Sequence, residues 1–308
     1  MTESASTCSS DRQWWKRSTL SRRSAILAGS ASAWQMSVGP WASANGDTRK
    51  TPPIGLIDSS TGMDDDPAAF RLARQSGLAG VEISTMKPAE TLSFATRRQR
   101  ELYTQAAEEF GVTVCSTCPL LMLHRPLQTD ARSEAWLRQS VETAAYFKAN
   151  AVLVPFFAKG DLLLDGKLHE PSVASAVRKL KAVAPMAADH GVTLGIENTL
   201  SAAQNLEVLE RVDHDAVRVY YDIANSAKRG YDVPAEIRRL KNLICRFHFK
   251  DNAGRFSTGR PDVEAILKAV QSIGYNDWIV LERNFEPETP AAYFRHNAQY
   301  IRKRWQSK

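Results

Sequence analysis

From about Thr51 to the C-terminus, short runs of apolar and β-branched residues alternate with longer segments whose apolar positions recur every three to four residues. The short runs lack the in-out alternation of a half-exposed strand, as strands buried on both faces of a parallel sheet do, and the longer segments read as amphipathic helices. Strands are expected at 54–58, 80–84, 112–115 and 151–156, then in runs that end at Glu197, Asp222, His248 and Glu282. Helices are expected over about 66–76, 89–110, 131–148, 173–189, 203–212, 235–241 and 263–273, with 290–305 closing the chain. Asp66-Pro67 supplies a cap and a first-turn proline, and Gly111 a stop. Eight strand-helix repeats with no internal linker or shift of composition predict an α/β fold, a single-domain (β/α)8 TIM barrel.

Four of the later runs end in a residue able to hold a metal: Glu197 in Gly-Val-Thr-Leu-Gly-Ile-Glu-Asn, Asp222 in Val-Arg-Val-Tyr-Tyr-Asp, His248 in Arg-Phe-His-Phe-Lys-Asp and Glu282 in Trp-Ile-Val-Leu-Glu. A barrel gathers the C-terminal ends of its strands on one face, so these four side chains are expected to converge there. Three carboxylates and one imidazole suit one divalent ion, Mn2+ first, with Mg2+, Co2+ or Zn2+ as alternatives. Two connections exceed the usual length for a barrel. Residues 157–171, with Lys159, Asp161, Asp165 and His169, are long enough to cover the mouth as a lid; residues 251–261 place Arg255 and Arg260 within reach of an anionic or polyhydroxy ligand.

The net charge of +6 on 308 residues is inflated at the N-terminus, where Arg12, Lys16, Arg17, Arg22 and Arg23 outweigh Glu3 and Asp11. The remaining basic and acidic residues are interspersed, so no nucleic-acid stripe is expected. Ser21-Arg22-Arg23-Ser24-Ala25-Ile26-Leu27 sets paired arginines before a moderately apolar stretch, and Ala42-Ser43-Ala44 supplies a small-x-small cleavage pattern. Residues 1–44 therefore resemble a twin-arginine export signal, leaving 45–308 as an exported, periplasmic barrel. The apolar stretch is too short and too diluted to span a membrane. Of four cysteines, Cys8 falls in that leader, and Cys115, Cys118 and Cys245 are an odd number that cannot form a complete disulfide framework. The spacing of Cys115 and Cys118 stands alone, and both read as buried thiols.

The motifs taken together, from about Pro53 to Trp305, resemble the xylose-isomerase-like superfamily of sugar isomerases and epimerases. They are Glu197-Asn198, the Asp of Tyr221-Asp222-Ile223-Ala224-Asn225, His248-x-Lys250-Asp251, Trp278 to Glu282, and Val81-Glu82-Ile83 after Gly77-Leu78-Ala79-Gly80. Departures from the resemblance narrow it. Ketose 3-epimerases of this superfamily commonly carry His three residues after the strand-six Asp, where this chain has Asn225. The His-rich three-zinc cluster of members that cut abasic DNA is absent, as is the two-metal carboxylate set of true xylose isomerase.

The chemistry implied is a single divalent ion on Glu197, Asp222, His248 and Glu282, acting as a Lewis acid on adjacent oxygens of a sugar or keto-sugar. Glu197 and Glu282, on opposite sides of the substrate, form an acid/base pair that removes and returns a proton in isomerisation or epimerisation. Substrate-binding roles fall to Asn198 and Asn225, which orient ligands or hold a hydroxyl, to Lys250 as oxyanion partner or partner of Asp251, to Glu82 as a hydroxyl binder or partner of Lys250, to His124 as an extra acid/base, and to Arg255. Trp278 and Tyr221 lie within strand patterns and read as core. A metal-dependent lyase or dehydratase on a keto-sugar or keto-inositol, and a non-catalytic carbohydrate-binding barrel, are the alternatives. A homo-oligomer is left open.

Overall fold

A computed structural model of the chain describes residues 50–251, 254–256, 261–283 and 289–306. The stretch expected to be an export leader, residues 1–44, and Arg260 lie outside the described residues. Eight parallel strands close into a barrel: β1 (Ile54–Ile57), β2 (Gly80–Ser84), β3 (Thr113–Cys118), β4 (Ala151–Pro155), β7 (Thr193–Glu197), β8 (Val217–Asp222), β9 (Ile244–Phe249) and β10 (Ile279–Leu281). Pairing of Ile54 with Ile279 joins first to last, which leaves no exposed sheet edge. The fold is the expected TIM barrel in a single domain.

The strands are buried on both faces, which explains their continuous apolar runs. Val81, Ile83, Val152, Val154, Leu194, Ile196 and Phe247 belong to the large core that also contains helix residues, whereas Ile57, Cys115, Cys118, Leu153, Tyr220 and Val280 form a smaller cluster. Close approach is needed at one glycine in particular. A Cβ on Gly80 would lie 2.6 Å from the Trp278 ring, so the absence of a side chain on β2 makes room for the indole before β10. Tyr221, 2% exposed, packs against Phe247 at 6.0 Å between ring centres, the core position expected of it.

Three elements differ from the sequence expectation. Helix α2 (Arg97–Phe110) starts well after Ala89, because Thr96 accepts a hydrogen bond from the Gln99 N–H and caps it, while 89–95 are tied down by Trp136 and Gln139. Strand β3 runs on to Cys118, so Ser116 joins the barrel wall. A short helix, α6 (Ile223–Lys228), follows β8 directly, and Asp222 is its N-cap. The 157–171 connection is an ordered structure, with a turn at Ala158–Gly160 and a two-residue hairpin, β5 (Leu163–Leu164) with β6 (Lys167–Leu168). It is fastened to its neighbours by Gln128 to Gly160 O at 2.7 Å, Gln204 to Gly166 O at 3.1 Å and Arg229 to Asp161 at 3.6 Å. No helix among the described residues is long and apolar enough to cross a membrane.

Candidate metal centre

Four consecutive barrel strands deliver the four expected side chains to one spot. Glu197 ends β7, Asp222 ends β8, His248 is the penultimate residue of β9, and Glu282 directly follows β10. The ladders hold them level: Asp222 pairs with His248 in register, and the Glu282 N–H donates to Phe249 O at 3.1 Å. One ligand atom from each of the four lies within 4.8 Å of the others. His248 Nδ1 faces the carboxylates, 2.9 Å from Glu197 Oε1 and 3.4 Å from Glu282 Oε2. Asp222 is divided in function: Oδ1 accepts from the Asn225 N–H at 2.6 Å as helix cap, which turns Oδ2 toward the cluster.

Lys250, two residues beyond His248, sends its ammonium into the same space, 2.8 Å from Glu282 Oε2 and 3.1 Å from Asp222 Oδ2. The contact to Asp222 lacks hydrogen-bond geometry, so Asp222 Oδ2 is a buried acceptor with no hydrogen-bond partner. Its charge is met by the Lys250 ammonium at ion-pair distance, which leaves the oxygen open to a hydrogen-bond donor or a metal ion. Three carboxylates and one imidazole nitrogen, all largely buried, fit a divalent ion of the hard-to-borderline class.

The electrostatics follow from crowding charge out of water. Burial raises Glu197, and Asp222 and Glu282 add to it against the opposing His248, so its carboxyl is pushed up to about 7. Burial likewise raises Asp222, although Lys250 opposes it. Burial would raise Glu282 too, but the Lys250 and His248 charges outweigh it and hold that carboxyl below its usual range. Burial alone would depress His248 and Lys250; the surrounding carboxylates prevail and hold both well above their usual values. Two glutamates in one cluster are thus driven in opposite directions.

The remaining expected site residues are distributed differently. Glu82 is fully buried behind His248: Oε1 lies 3.0 Å from Nε2, and Oε2 accepts from Ser116 Oγ at 2.5 Å and Tyr220 OH at 2.7 Å. Lys250 pairs instead with Glu282 and Asp222, which corrects the expected pairing of Glu82 with Lys250. Asn198 is also turned inward, its amide donating to Asn205 Oδ1 and accepting from the Leu200 N–H, both at 2.9 Å. These bonds shape the loop after β7. Asn225 acts through its backbone on Asp222. His124 is exposed beside Arg125, Thr129, Asp130 and Lys159, in a surface depression of about 390 Å3 whose lining contains none of the four metal-binding candidates. Arg255 is exposed, and the cation bonded within the cluster is Lys250. Tyr220 and Ser116 were not anticipated. Tyr220 was legible, standing two residues before Asp222 and hence on the same face of its strand, but Ser116 was hidden by ending β3 too early.

The sequence profile of the xylose isomerase-like TIM barrel family matches residues 70–304, and the chain belongs to that family. Among solved structures it is similar to an L-ribulose 3-epimerase, with 20% identity and a TM-score of 0.65 over 83% of this chain and 95% of that one. It is similar to 3-keto-D-glucoside 4-epimerase from E. coli, at 16% identity and a TM-score of 0.65 over 82% and 99% of the two chains. A xylose isomerase-like TIM barrel protein from Mycobacterium smegmatis, solved in complex with magnesium, superposes at 14% identity and a TM-score of 0.67 over 84% and 98%. At these identities the likeness is one of fold. No protein in a curated sequence collection matches.

Proposed function

We propose that this protein is a metal-dependent sugar isomerase or epimerase, with Glu197, Asp222, His248 and Glu282 holding one divalent ion and Glu197 and Glu282 moving the proton. The observation that carries the reading is the convergence of those four donors within 4.8 Å at the ends of four successive strands. Membership of the family and the folds of the two epimerases support it. The bound ion supplies Lewis-acid polarisation of a carbonyl and its neighbouring hydroxyl. Glu282, held as a carboxylate by Lys250, is the better base at neutral pH. Glu197 is the partner that returns a proton from the other side of the substrate, and the two exchange roles in the reverse direction. Lys250 keeps Glu282 aimed at the cluster and offers a charge to oxygen that becomes negative as the proton leaves.

The test is turnover in D2O with free ketohexoses and a 3-keto-glucoside as probes and Mn2+ as the ion. Deuterium on the carbon beside the carbonyl is expected, because a proton parked on a carboxylate exchanges with solvent before it returns. Turnover without label overturns the two-glutamate route, loss of water from the product indicates a dehydratase, and a protein that takes up no metal indicates a carbohydrate-binding barrel.

We infer that the enzyme is exported, with Asn45 near its mature start, from the paired arginines Arg22-Arg23 and the Ala42-Ser43-Ala44 pattern. Intact-mass measurement of periplasmic protein is expected to show loss of residues 1–44; a periplasmic chain that retains them defeats the inference.

A further inference from the structure

Glu82 is costly to explain by stability. It is 0% exposed, in the barrel interior, and an ionised carboxylate there carries a large desolvation penalty that an apolar residue of similar size would avoid. Yet three neighbours are arranged around it. His248 Nε2 lies 3.0 Å from Oε1, and the hydroxyls of Ser116 and Tyr220 donate to Oε2 at 2.5 and 2.7 Å. Tyr220 does more than hold Glu82, for its ring also packs edge-on against the His248 imidazole, 4.6 Å between centres at 64°. The imidazole is thereby fixed on its far edge by a hydrogen bond and on its face by an aromatic ring, with Nδ1 directed at Glu197 and Glu282.

The barrel's own irregularities fall at the same two residues. The β2–β3 ladder shifts register between Val81 and Glu82, and the β8–β9 ladder between Val219 and Tyr220. A bulge re-aims the side chains that follow it, and bulges gather beside functional sites. The extra residues are Cys115 on β3 and Cys245 on β9, so the shifts set Ser116 level with Glu82, Arg246 level with Tyr220 and His248 level with Asp222.

We propose that Glu82, braced by Tyr220 and Ser116, is a positioning residue that keeps the His248 proton on Nε2 and presents the Nδ1 lone pair to the divalent ion. A neutral imidazole has two tautomers, and only the one with its proton on Nε2 can ligate through Nδ1; a carboxylate at Nε2 selects that tautomer and makes Nδ1 more basic. Glu82 therefore acts on metal affinity and does not touch the sugar. The inference rests on the metal-dependent reading above.

The experiment is Mn2+ binding by calorimetry and elemental analysis on the wild type, Glu82→Gln and Tyr220→Phe, with no sugar present. Glu82→Gln keeps an acceptor for Nε2–H but removes the charge, and is expected to weaken Mn2+ about 10- to 100-fold, the usual effect of losing a ligand's outer partner. Tyr220→Phe, which removes one hydroxyl and keeps the ring, is expected to weaken Mn2+ several-fold, and it carries the test should the Gln variant fail to fold. At saturating Mn2+ the KM of a turned-over ketohexose is expected to match wild type in both. Wild-type affinity in folded variants overturns the proposal, as does a raised KM with unchanged Mn2+ affinity, which would return Glu82 to sugar binding. A fall in melting temperature with Mn2+ affinity intact would make Glu82 merely structural and also overturns it. A wild-type protein that takes up no Mn2+ defeats the metal-dependent reading itself, before any variant is compared.

Discussion

Strand β9 carries two buried basic side chains two residues apart, on the same side of the strand, and the barrel treats them in opposite ways. Arg246, toward the N-terminal end, is 0% exposed and bonded to the Cys115 carbonyl, to Asn150 Oδ1 at 2.5 Å and to Asp277 at 3.3 Å. One cation meets one carboxylate, an amide and a carbonyl, and Asp277 is only partly buried. His248, toward the C-terminal end, is surrounded by Glu82, Glu197 and Glu282, with Asp222 and Lys250 alongside. The lower group ties Cys115 on β3 to the residues that lead into β4 and β10 through both Arg246 terminal nitrogens, although the Arg246 Nε is left without a hydrogen bond. The upper group crowds four carboxylates into one place and leaves Asp222 Oδ2 without a hydrogen bond. One end of the barrel has its charges arranged for stability and the other keeps acidic groups in excess, as expected where catalysis is confined to the C-terminal face.

The largest effect that would sharpen this contrast is kinetic. Glu197→Gln and Glu282→Gln, which keep shape and one ligand oxygen, are each expected to lower kcat/KM by about 10²- to 10⁴-fold, with melting temperature near wild type. Near-normal rates with metal bound would remove the upper cluster from the chemistry. At the lower end the same kind of change is expected to act on stability alone. Arg246→Ala strands Asn150, Asp277 and the Cys115 carbonyl, and is expected to cost about 3–5 kcal/mol in chemical denaturation, as for a broken buried ion pair. By contrast, His248→Ala is expected to leave a folded barrel that loses its metal, as seen by elemental analysis. An Arg246 variant that is stable but catalytically dead would break the comparison.

A smaller effect is expected from packing at the lower end. Gly80→Ala sets a methyl 2.6 Å from the Trp278 ring and is expected to destabilise by about 1–3 kcal/mol, with Mn2+ affinity unchanged. The smallest concerns pH. Glu197 rests near 7 and His248 well above its usual value, so both hold protons below about pH 7 that a metal must displace. Metal affinity is therefore expected to fall as pH drops through 7, by about tenfold per unit for each proton, or about 1.4 kcal/mol. Calorimetry of Mn2+ uptake in buffers of differing ionisation enthalpy should show between one and two protons released at pH 6. A pH-independent affinity between 5 and 7 would contradict this pattern of charge in the cluster.

Much of this was legible before any coordinates. Eight strand-helix repeats define a closed parallel barrel, and the period-two geometry of strands, with the rule that barrel strands end on one face, brought Glu197, Asp222, His248 and Glu282 together from their positions alone. Such inferences succeed because they depend on local repeats whose phase is preserved along the chain. Lys250 was expected from the resemblance as an oxyanion partner or a partner of Asp251, and its contacts with Glu282 and Asp222 emerged only in the folded barrel.

Tertiary structure decided what each polar group faces. Glu82 was legible as a strand residue near the mouth, but whether it meets a sugar or the back of His248 depends on two ladder shifts, at Val81/Glu82 and Val219/Tyr220, that no single-strand pattern displays. Asn198 looked like a ligand-binding amide until Asn205, on the following helix, occupied it. Arg246 resembled any charged residue in a strand, and its burial follows from partners at Asn150 and Asp277, far away in sequence. The sequence by itself determined which side chains stand at strand ends, because periodicity is a property of the backbone. Only the closed barrel decided which of them share a hydrogen bond, because a partner across the barrel is set by strand order and register.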